Sequence, residues 1–255
     1  MSSPSPLICY RDVCKSFGQQ SVYRQLNLNV FEGETLCMIG PSGFGKTVAL
    51  KMLIGLIQPD CGQIVFDGIN LTDLTHDAQF LPIRRRIAMV FQGAALFDSL
   101  CVFDNVAYPL REQFSLTDEQ LHSKVLEKLQ WVDLADAVHK MPPQLSDGMK
   151  KRVGLARAIV TEPEVVLFDE PTAGLDPANT QRIANLILSL RQTPNHRASI
   201  VVTHDMPTAE TIADRVALMG DGQVRNSGTL QQLRNSSDKE TQAFFKLDNG
   251  KTGSS

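Results

Sequence analysis

Apolar residues fall along this chain in two textures that alternate. Thr35 to Ile39 is a short unbroken apolar run that stops at Gly40, the pattern of a buried strand. After Lys46 the spacing becomes helical to about Ile54, and Gly55 stands where a helix terminus needs a residue free to adopt positive φ. Ile64 to Phe66 followed by Asp67-Gly68 predicts a strand entering a tight turn, and Ile87 to Phe91 predicts another buried strand. From about Gly93 to Val160 helical spacing takes over. There Thr117-x-x-Gln120 is a capping box, and Leu121, Val125, Leu129 and Val132 share one helix face. Strands return at Val165 to Phe168, Ser199 to Val202 and Val216 to Met219. Between the first two lies a helix that begins at Pro177 and is striped by Ile183, Leu186, Ile187 and Leu190. Beyond Gly228 the sequence turns polar, and Asn249 to Ser255 is expected to fray. The pattern predicts an α/β core with a helical insertion and no internal repeat.

Composition narrows the class. A chain of 255 residues, 42% hydrophobic, fits one large domain or a domain carrying an inserted subdomain. Its net charge of −3 argues against wrapping nucleic acid, so no nucleic-acid partner is expected. No apolar run approaches the roughly 18 residues that span a bilayer. Met1 to Leu7 is Ser/Pro-rich, without the basic start and apolar stretch of a secretory leader. The expectation is a soluble chain, cytosolic or peripheral to a membrane partner. The five cysteines (Cys9, Cys14, Cys37, Cys61, Cys101) are scattered and odd in number. They read as neither a disulfide framework nor a zinc site, but as small core residues in a reducing compartment. Arg84-Arg85-Arg86 and Lys150-Lys151-Arg152 read as solvated faces, Trp131 as helix packing and His122 as surface.

The chemistry concentrates in two stretches. Gly40-Pro41-Ser42-Gly43-Phe44-Gly45-Lys46-Thr47 matches G-x-x-x-x-G-K-[ST], after a strand and before a helix. Its glycines let backbone N–H groups close around phosphate oxygens, and the helix start adds a favourable dipole. Lys46 reaches the β- and γ-phosphates in this reading, Thr47 ligates Mg²⁺, and Val48 continues the phosphate-binding turn. The second stretch is Val165 to Glu170, an apolar strand ending in two carboxylates. Asp169 holds Mg²⁺, directly or through water, and Glu170 polarises the attacking water. Alone, such an Asp-Glu pair often only caps the next helix; after a phosphate loop it points to nucleotide hydrolysis.

Leu145-Ser146-Asp147-Gly148-Met149 with the following Lys150 to Ala158 resembles the signature motif of ABC-type ATPases and the helix it opens. Other elements follow in that family's order: Phe17 as the aromatic stacking on adenine, Gln92 as the Q-loop glutamine, and Asp169-Glu170-Pro171-Thr172 as the extended Walker B. Ala173-Gly174-Leu175-Asp176 follows as the D-loop, His204 as the switch histidine and Asp221-Gly222 as the closing hairpin. The resemblance spans about Leu7 to Gly228. It implies a P-loop, RecA-like α/β core with an antiparallel β subdomain and an inserted α-helical signature subdomain at about 93–160. The nucleotide-binding domain is then 1–228 and the C-terminal tail 229–255. It further implies a head-to-tail homodimer sandwiching two ATP and Mg²⁺. Phe17, Val22, the residues 40–48, Ser146, Gly148, Met149 and Asp176 touch nucleotide, Thr47, Gln92 and Asp169 hold the metal, and Lys46, Gln92, Glu170 and His204 are catalytic. One departure is Asp147, where the signature usually has Gly. A carboxylate ~6 Å from a phosphate would cost on the order of 3 kcal/mol at an effective dielectric of 20, against the ~0.3 to 1 kcal/mol an Asp gains in a first helical turn.

Carrying one nucleotide domain, no span and no long coiled coil, the chain fits an ATP-binding subunit docked on a separate membrane permease. Phe91 to Glu112, and a signature ending in Met149 rather than Gln, are similar to the ATPases of Mla/Mce-type lipid transporters. That resemblance implies an integral-membrane permease, an Mce-domain lipid-binding protein and, in some members, a small regulatory subunit. It places the chain peripherally on the cytoplasmic side of the inner membrane. Leu96, Phe97, Leu100 and Val102 are then expected to face the permease, or to pack inside the helical subdomain, or both. Phe244 and Phe245 are expected as exposed aromatics of a tail that contacts the neighbouring subunit. Two other functions remain open on sequence grounds: a small-solute importer ATPase, and a nucleotide-gated scaffold that barely hydrolyses.

Overall fold

A computed structural model of the chain describes residues 5–41 and 43–249, with 246–249 as backbone only. In chain order its elements are β1 (Ile8–Phe17), β2 (Gln20–Val30), β3 (Thr35–Ile39), α1 (Lys46–Leu53), β4 (Cys61–Phe66), β5 (Ile69–Asn70), α2 (Asp77–Arg86), β6 (Ile87–Val90), α3 (Val102–Gln113) and α4 (Asp118–Trp131). Then come α5 (Asp147–Ile159), β7 (Val165–Asp169), α6 (Pro177–Leu190), β8 (Ala198–Val202), α7 (Met206–Ile212), β9 (Arg215–Gly220), β10 (Gln223–Gly228), α8 (Leu230–Arg234) and α9 (Lys239–Asn249). They divide into two compact units, one from the chain's start to Leu81 plus Ala198 onward, the other Pro82–Arg197.

In the first unit an antiparallel sheet runs β2-β1-β4-β5. A second run of strands, β10-β9-β3-β8, is mixed: β3 lies parallel to β8 and β9, and β10 returns antiparallel on β9. Every residue of β3 and β8 is buried, which is why these strands read as continuous apolar runs rather than as alternation. Asp67 (φ 50°) and Gly68 (φ 81°) take the left-handed conformations of the tight turn their sequence predicts. β1 is broken by register shifts against both of its neighbours, so it never shows the clean period of two.

Two expectations are corrected in this unit. Cys9 and Cys37 are buried core thiols, but Cys14 and Cys61 face each other on β1 and β4, with Cα atoms 5.0 Å apart and sulfurs bonded. Their separation of 47 residues leaves no local spacing signal. The aromatics near the C-terminus are not exposed: Phe245 is buried and Phe244 half-buried, their rings edge to face at 5.5 Å. A capping box of Thr229 and Gln232 opens α8, and Thr241 on α9 is buried beside Asn226 of β10. The stretch 250–255, expected to fray, lies outside the described residues.

In the second unit β6 and β7 pair in parallel, Ile87 opposite Val165 through Val90 opposite Phe168. Helices α3, α4 and α5 close over a core that includes Val106, Leu110, Val125, Leu129, Val132 and Val153. The predicted capping box of α4 is present, with Thr117 and Gln120 bonding reciprocally. Leu121 alone of its predicted stripe is only partly buried. Arg86 grips Glu164 through Nε (2.6 Å) and Nη2 (2.7 Å), and Arg197 adds a contact at 3.1 Å, so the Arg84–Arg86 run is not simply a solvated face. Among the described residues no helix is long and apolar enough to cross a membrane.

Candidate functional site

The first unit builds the glycine-rich loop. At Gly40 the chain leaves β3 with φ 144°, and a Cβ there would stand 2.6 Å from the Met219 carbonyl oxygen, so only glycine fits. Gly45 begins α1 with no side-chain cap, which leaves the positive helix end available to an anion. Lys46 is buried at the base of the loop, its Nζ donating to the carbonyls of Gly40 (2.7 Å) and Pro41 (2.9 Å). Thr47 and Val48 continue into the first helical turn, half-buried. Ser42 lies outside the described residues.

Two residues that the sequence did not single out lock this loop. The Tyr23 hydroxyl donates to the Gly45 carbonyl (2.5 Å), and the Tyr10 hydroxyl donates to the Ala49 carbonyl (3.0 Å). Burial raises both phenol pKa values, which keeps them as donors. They come from β1 and β2, too far along the chain for any spacing rule to connect them to the loop. A cavity of about 610 Å³ opens beside it, lined by Gln20, Val22, Gly43, Phe44, Asp221 and Gly222 among others. Phe17 does not line that cavity; it stands half exposed at the end of β1, with the Lys15 ammonium 5.3 Å from its ring centroid. His204 is exposed just past β8, next to Asp205, the N-cap residue of α7.

The second unit carries the acidic pair and the signature helix. Asp169 ends β7 almost fully buried, and Glu170 comes next at φ 50°. A non-glycine residue in the left-handed region is strained by about 1 kcal/mol or more, a strain that folds tolerate mainly at functional sites. The next turn is pinned from α5: Lys151 Nζ donates to the carbonyls of Ala173 (2.7 Å) and Glu170 (3.3 Å). Arg152 donates to the carbonyls of Val132 (2.7 Å) and Asp133 (3.2 Å). Both cations are buried, and desolvation lowers the pKa of each. The solvated face expected for Lys150-Lys151-Arg152 is therefore corrected, because its partners are backbone carbonyls about twenty residues away in either direction.

Ser146 caps α5 by accepting from the Met149 N–H (3.3 Å), as its place in the signature predicts. Gly148 is buried, and a Cβ on it would stand 2.7 Å from the side-chain amide carbon of Asn179. Asp176 caps α6 through the Asn179 N–H (2.9 Å), and that bond holds its carboxyl below the usual range. Asp147 is turned to solvent, 82% exposed, and pairs with Lys150 at 3.3 Å. Gln92 is exposed just past β6.

Between Gln92 and α3 the chain forms an ordered loop. Asn105, fully buried, donates from Nδ2 to the carbonyls of Leu100 (2.9 Å), Phe97 (3.1 Å) and Cys101 (3.1 Å). Arg157 donates to the carbonyls of Ala94 and Ala95, both at 2.7 Å, and lies 5.6 Å from the Phe97 ring centroid. Phe97 and Tyr108 are left exposed together, their centroids 4.7 Å apart. Val102 is fully buried and belongs to the core, not to a docking face; Leu96 and Leu100 are half-buried.

The family model described as "ABC transporter" matches residues 23–173, a span that takes in the glycine-rich loop, the signature helix and both carboxylates. The chain belongs to the ABC transporter family. This ABC protein is 39% identical over 243 residues to the intermembrane phospholipid transport system ATP-binding protein MlaF of Escherichia coli K12, covering 95% of this chain and 90% of that one. It is 38% identical over 253 residues to the chloroplastic protein TRIGALACTOSYLDIACYLGLYCEROL 3 of Arabidopsis thaliana, covering 93% and 73%. Among solved structures it matches the dimeric post-hydrolysis state of the ATP-binding cassette MJ0796 bound to ADP and Pi, with TM-score 0.80 and 32% identity over 88% of this chain and 98% of that one. The domain is an ABC ATPase, and its α/β architecture is that of ABC cassettes.

Proposed function

We propose that this chain is the ATP-hydrolysing subunit of a phospholipid transport system. The observation that carries this reading is the 39% identity to MlaF running over 95% of the chain. The glycine-rich loop suits a triphosphate: two glycines hold conformations a side chain would block, and Lys46 already lies across the loop. Thr47 in the first unit, and Asp169 and Gln92 in the second, carry the hard oxygen atoms that would hold Mg²⁺. When bound, that ion supplies neutralising charge at the phosphates. Lys46 orients the β- and γ-phosphates, Glu170 takes the proton of the attacking water, and His204 positions that water. Phe17 stacks on the adenine. Ser146, Gly148 and Met149 meet the γ-phosphate of a second copy in a homodimer, an arrangement supported by the dimeric cassette it resembles.

A permease receives the work through the exposed Phe97 and Tyr108, and an Mce-domain protein carries the lipid; a small regulatory subunit joins in some such systems. The subunit then sits on the cytoplasmic face of the inner membrane. Affinity purification from mildly solubilised native membranes tests this reading. Recovery of a multi-span permease with an Mce-domain protein is expected. A permease accompanied by a solute-binding protein instead would replace lipid transport with small-solute import.

A further inference from the structure

Cys14 and Cys61 meet only because β1 is bulged. Arg11 pairs with Gln63, and an unbroken antiparallel ladder would then set Val13, not Cys14, opposite Cys61. The structure inserts Asp12 at φ 50°, turns Val13 into the core and brings Cys14 into register with Cys61. The bulge is built from both sides. Gly62 takes φ 83°, where a Cβ would stand 2.4 Å from the Asp12 carbonyl oxygen. From β2, Gln25 Nε2 (2.7 Å) and Asn27 Nδ2 (3.0 Å) donate to the Asp12 carboxylate, and the Asp12 N–H donates to Asn27 Oδ1 (3.0 Å).

Past Cys14, β1 runs on to its last residue, Phe17. Asp60, next to Cys61, holds this end of the strand: Oδ1 meets Lys15 Nζ at 2.7 Å, Oδ2 accepts from the Ser16 N–H at 2.7 Å, and the Asp60 N–H donates to the Cys14 carbonyl at 2.9 Å. Lys15 in turn lies over the Phe17 ring. Cys61 is exposed and Cys14 half-buried, whereas Cys9 and Cys37 are sealed in the core. A solvent-reachable pair at bonding distance, in a chain whose Cys9 and Cys37 are buried and whose Cys101 is half-buried, has the exposure of a labile disulfide rather than of a structural one.

We infer that Cys14 and Cys61 form a reversible redox site whose disulfide state fixes the Phe17-bearing end of β1 and so raises nucleotide affinity. The effect on affinity rests on the proposed ATP binding; the site itself does not. The oxidant is a low-molecular-weight disulfide, RSSR. The Cys61 thiolate attacks one of its sulfurs, forming a mixed disulfide and expelling RS⁻. The Cys14 thiolate then attacks the Cys61 sulfur, closing the Cys14–Cys61 bond and expelling the second RS⁻. Two protein thiols are oxidised, one RSSR is reduced, and the two thiol protons end on two RSH. If the reduced segment is competent about a third of the time, the apparent Kd for nucleotide rises about threefold on reduction.

The full chain is equilibrated with oxidised or reduced glutathione, alkylated and mapped by peptide mass spectrometry. In parallel a fluorescent ATP analogue is titrated in both buffers. A Cys14–Cys61 peptide is expected only in the oxidised buffer, with a Kd about threefold lower there. Cys14→Ser and Cys61→Ser should bind at the reduced-state Kd in either buffer. Alkylation of both cysteines in oxidised glutathione would overturn the site, whatever the nucleotide does. A cross-link with unchanged Kd would overturn the coupling. Absence of analogue binding in both buffers would sink the ATP reading and the coupling together, and the peptide map would still decide the site.

Discussion

Asn105 and Phe97 bond to each other in both directions: the Phe97 N–H donates to Asn105 Oδ1 at 2.8 Å, and Asn105 Nδ2 donates to the Phe97 carbonyl at 3.1 Å. One buried side chain thus supplies partners to the Phe97 N–H and the Leu100 carbonyl. It adds a second donor to the carbonyls of Phe97 and Cys101, which also accept from the Leu100 and Asn105 N–H groups. Asn105→Ala leaves the Phe97 N–H and the Leu100 carbonyl to find water or remain unmet. At about 1–3 kcal/mol for each buried unsatisfied group, with part of the loop rehydrating, a loss of about 2–4 kcal/mol is expected in urea unfolding. A loss under about 0.5 kcal/mol would mean the loop holds its shape without Asn105.

Lys151→Met keeps the aliphatic volume and removes the two bonds to the carbonyls of Ala173 and Glu170. Since those bonds set the turn after Glu170, the expected result is a kcat for ATP hydrolysis about tenfold lower, about 1.4 kcal/mol. KM for ATP should hardly move. Steady-state kinetics decide it: an equal fall in binding and turnover would assign Lys151 to general stability.

Asp147 is mostly exposed in the single chain and paired with Lys150, and that cation beside the carboxylate lowers the cost expected from the sequence. In water-like surroundings a carboxylate ~6 Å from a phosphate costs below about 1 kcal/mol, a factor of about five at most. Asp147→Gly is therefore expected to lower KM for ATP between about two- and fivefold at low salt, the gain shrinking in high salt. Identical kinetics for the two proteins at low salt would place the carboxylate out of reach of the phosphate.

His196 borders a cavity of about 550 Å³ in the second unit, beside Trp131, Ile159 and Leu190. Burial, with the charge of Arg191, lowers its pKa to about 4 from the ordinary 6.5. The folded protein therefore binds the proton less readily than the unfolded chain, and stability falls as pH drops from 6.5 towards 4. The contribution stays below about 3 kcal/mol because solvent screens a half-buried ring. His196→Gln should flatten denaturant stability over that window relative to the parent, while above pH 7 the slopes coincide. Parallel curves throughout pH 4–6.5 would refute the role of His196.

The glycine-rich loop, the acidic pair, the signature helix and most strands were legible because their signals are local: a fixed spacing, an apolar run, a cap. Thr117 with Gln120 and Ser146 with Met149 needed only three residues of context. The clamps were not legible. Tyr23 reaches Gly45 across 22 residues, and Lys151 reaches Ala173 across the same separation. Cys14 finds Cys61 only after a bulge reverses the parity of its strand. In each case the chemistry of the residue was visible, but its partner was set by packing between elements.

The close approach of Gly148 to Asn179 has a consequence for how this sequence can vary. The clearance between the signature helix and the start of α6 is smaller than one methyl group, so what the signature requires at this position is absence of volume. Position 148 and position 179 act as one steric quantity shared between two helices. A side chain gained at the first has to be matched by atoms given up at the second, or by turning the Asn179 amide away from the Asp176 carboxylate that it now bonds.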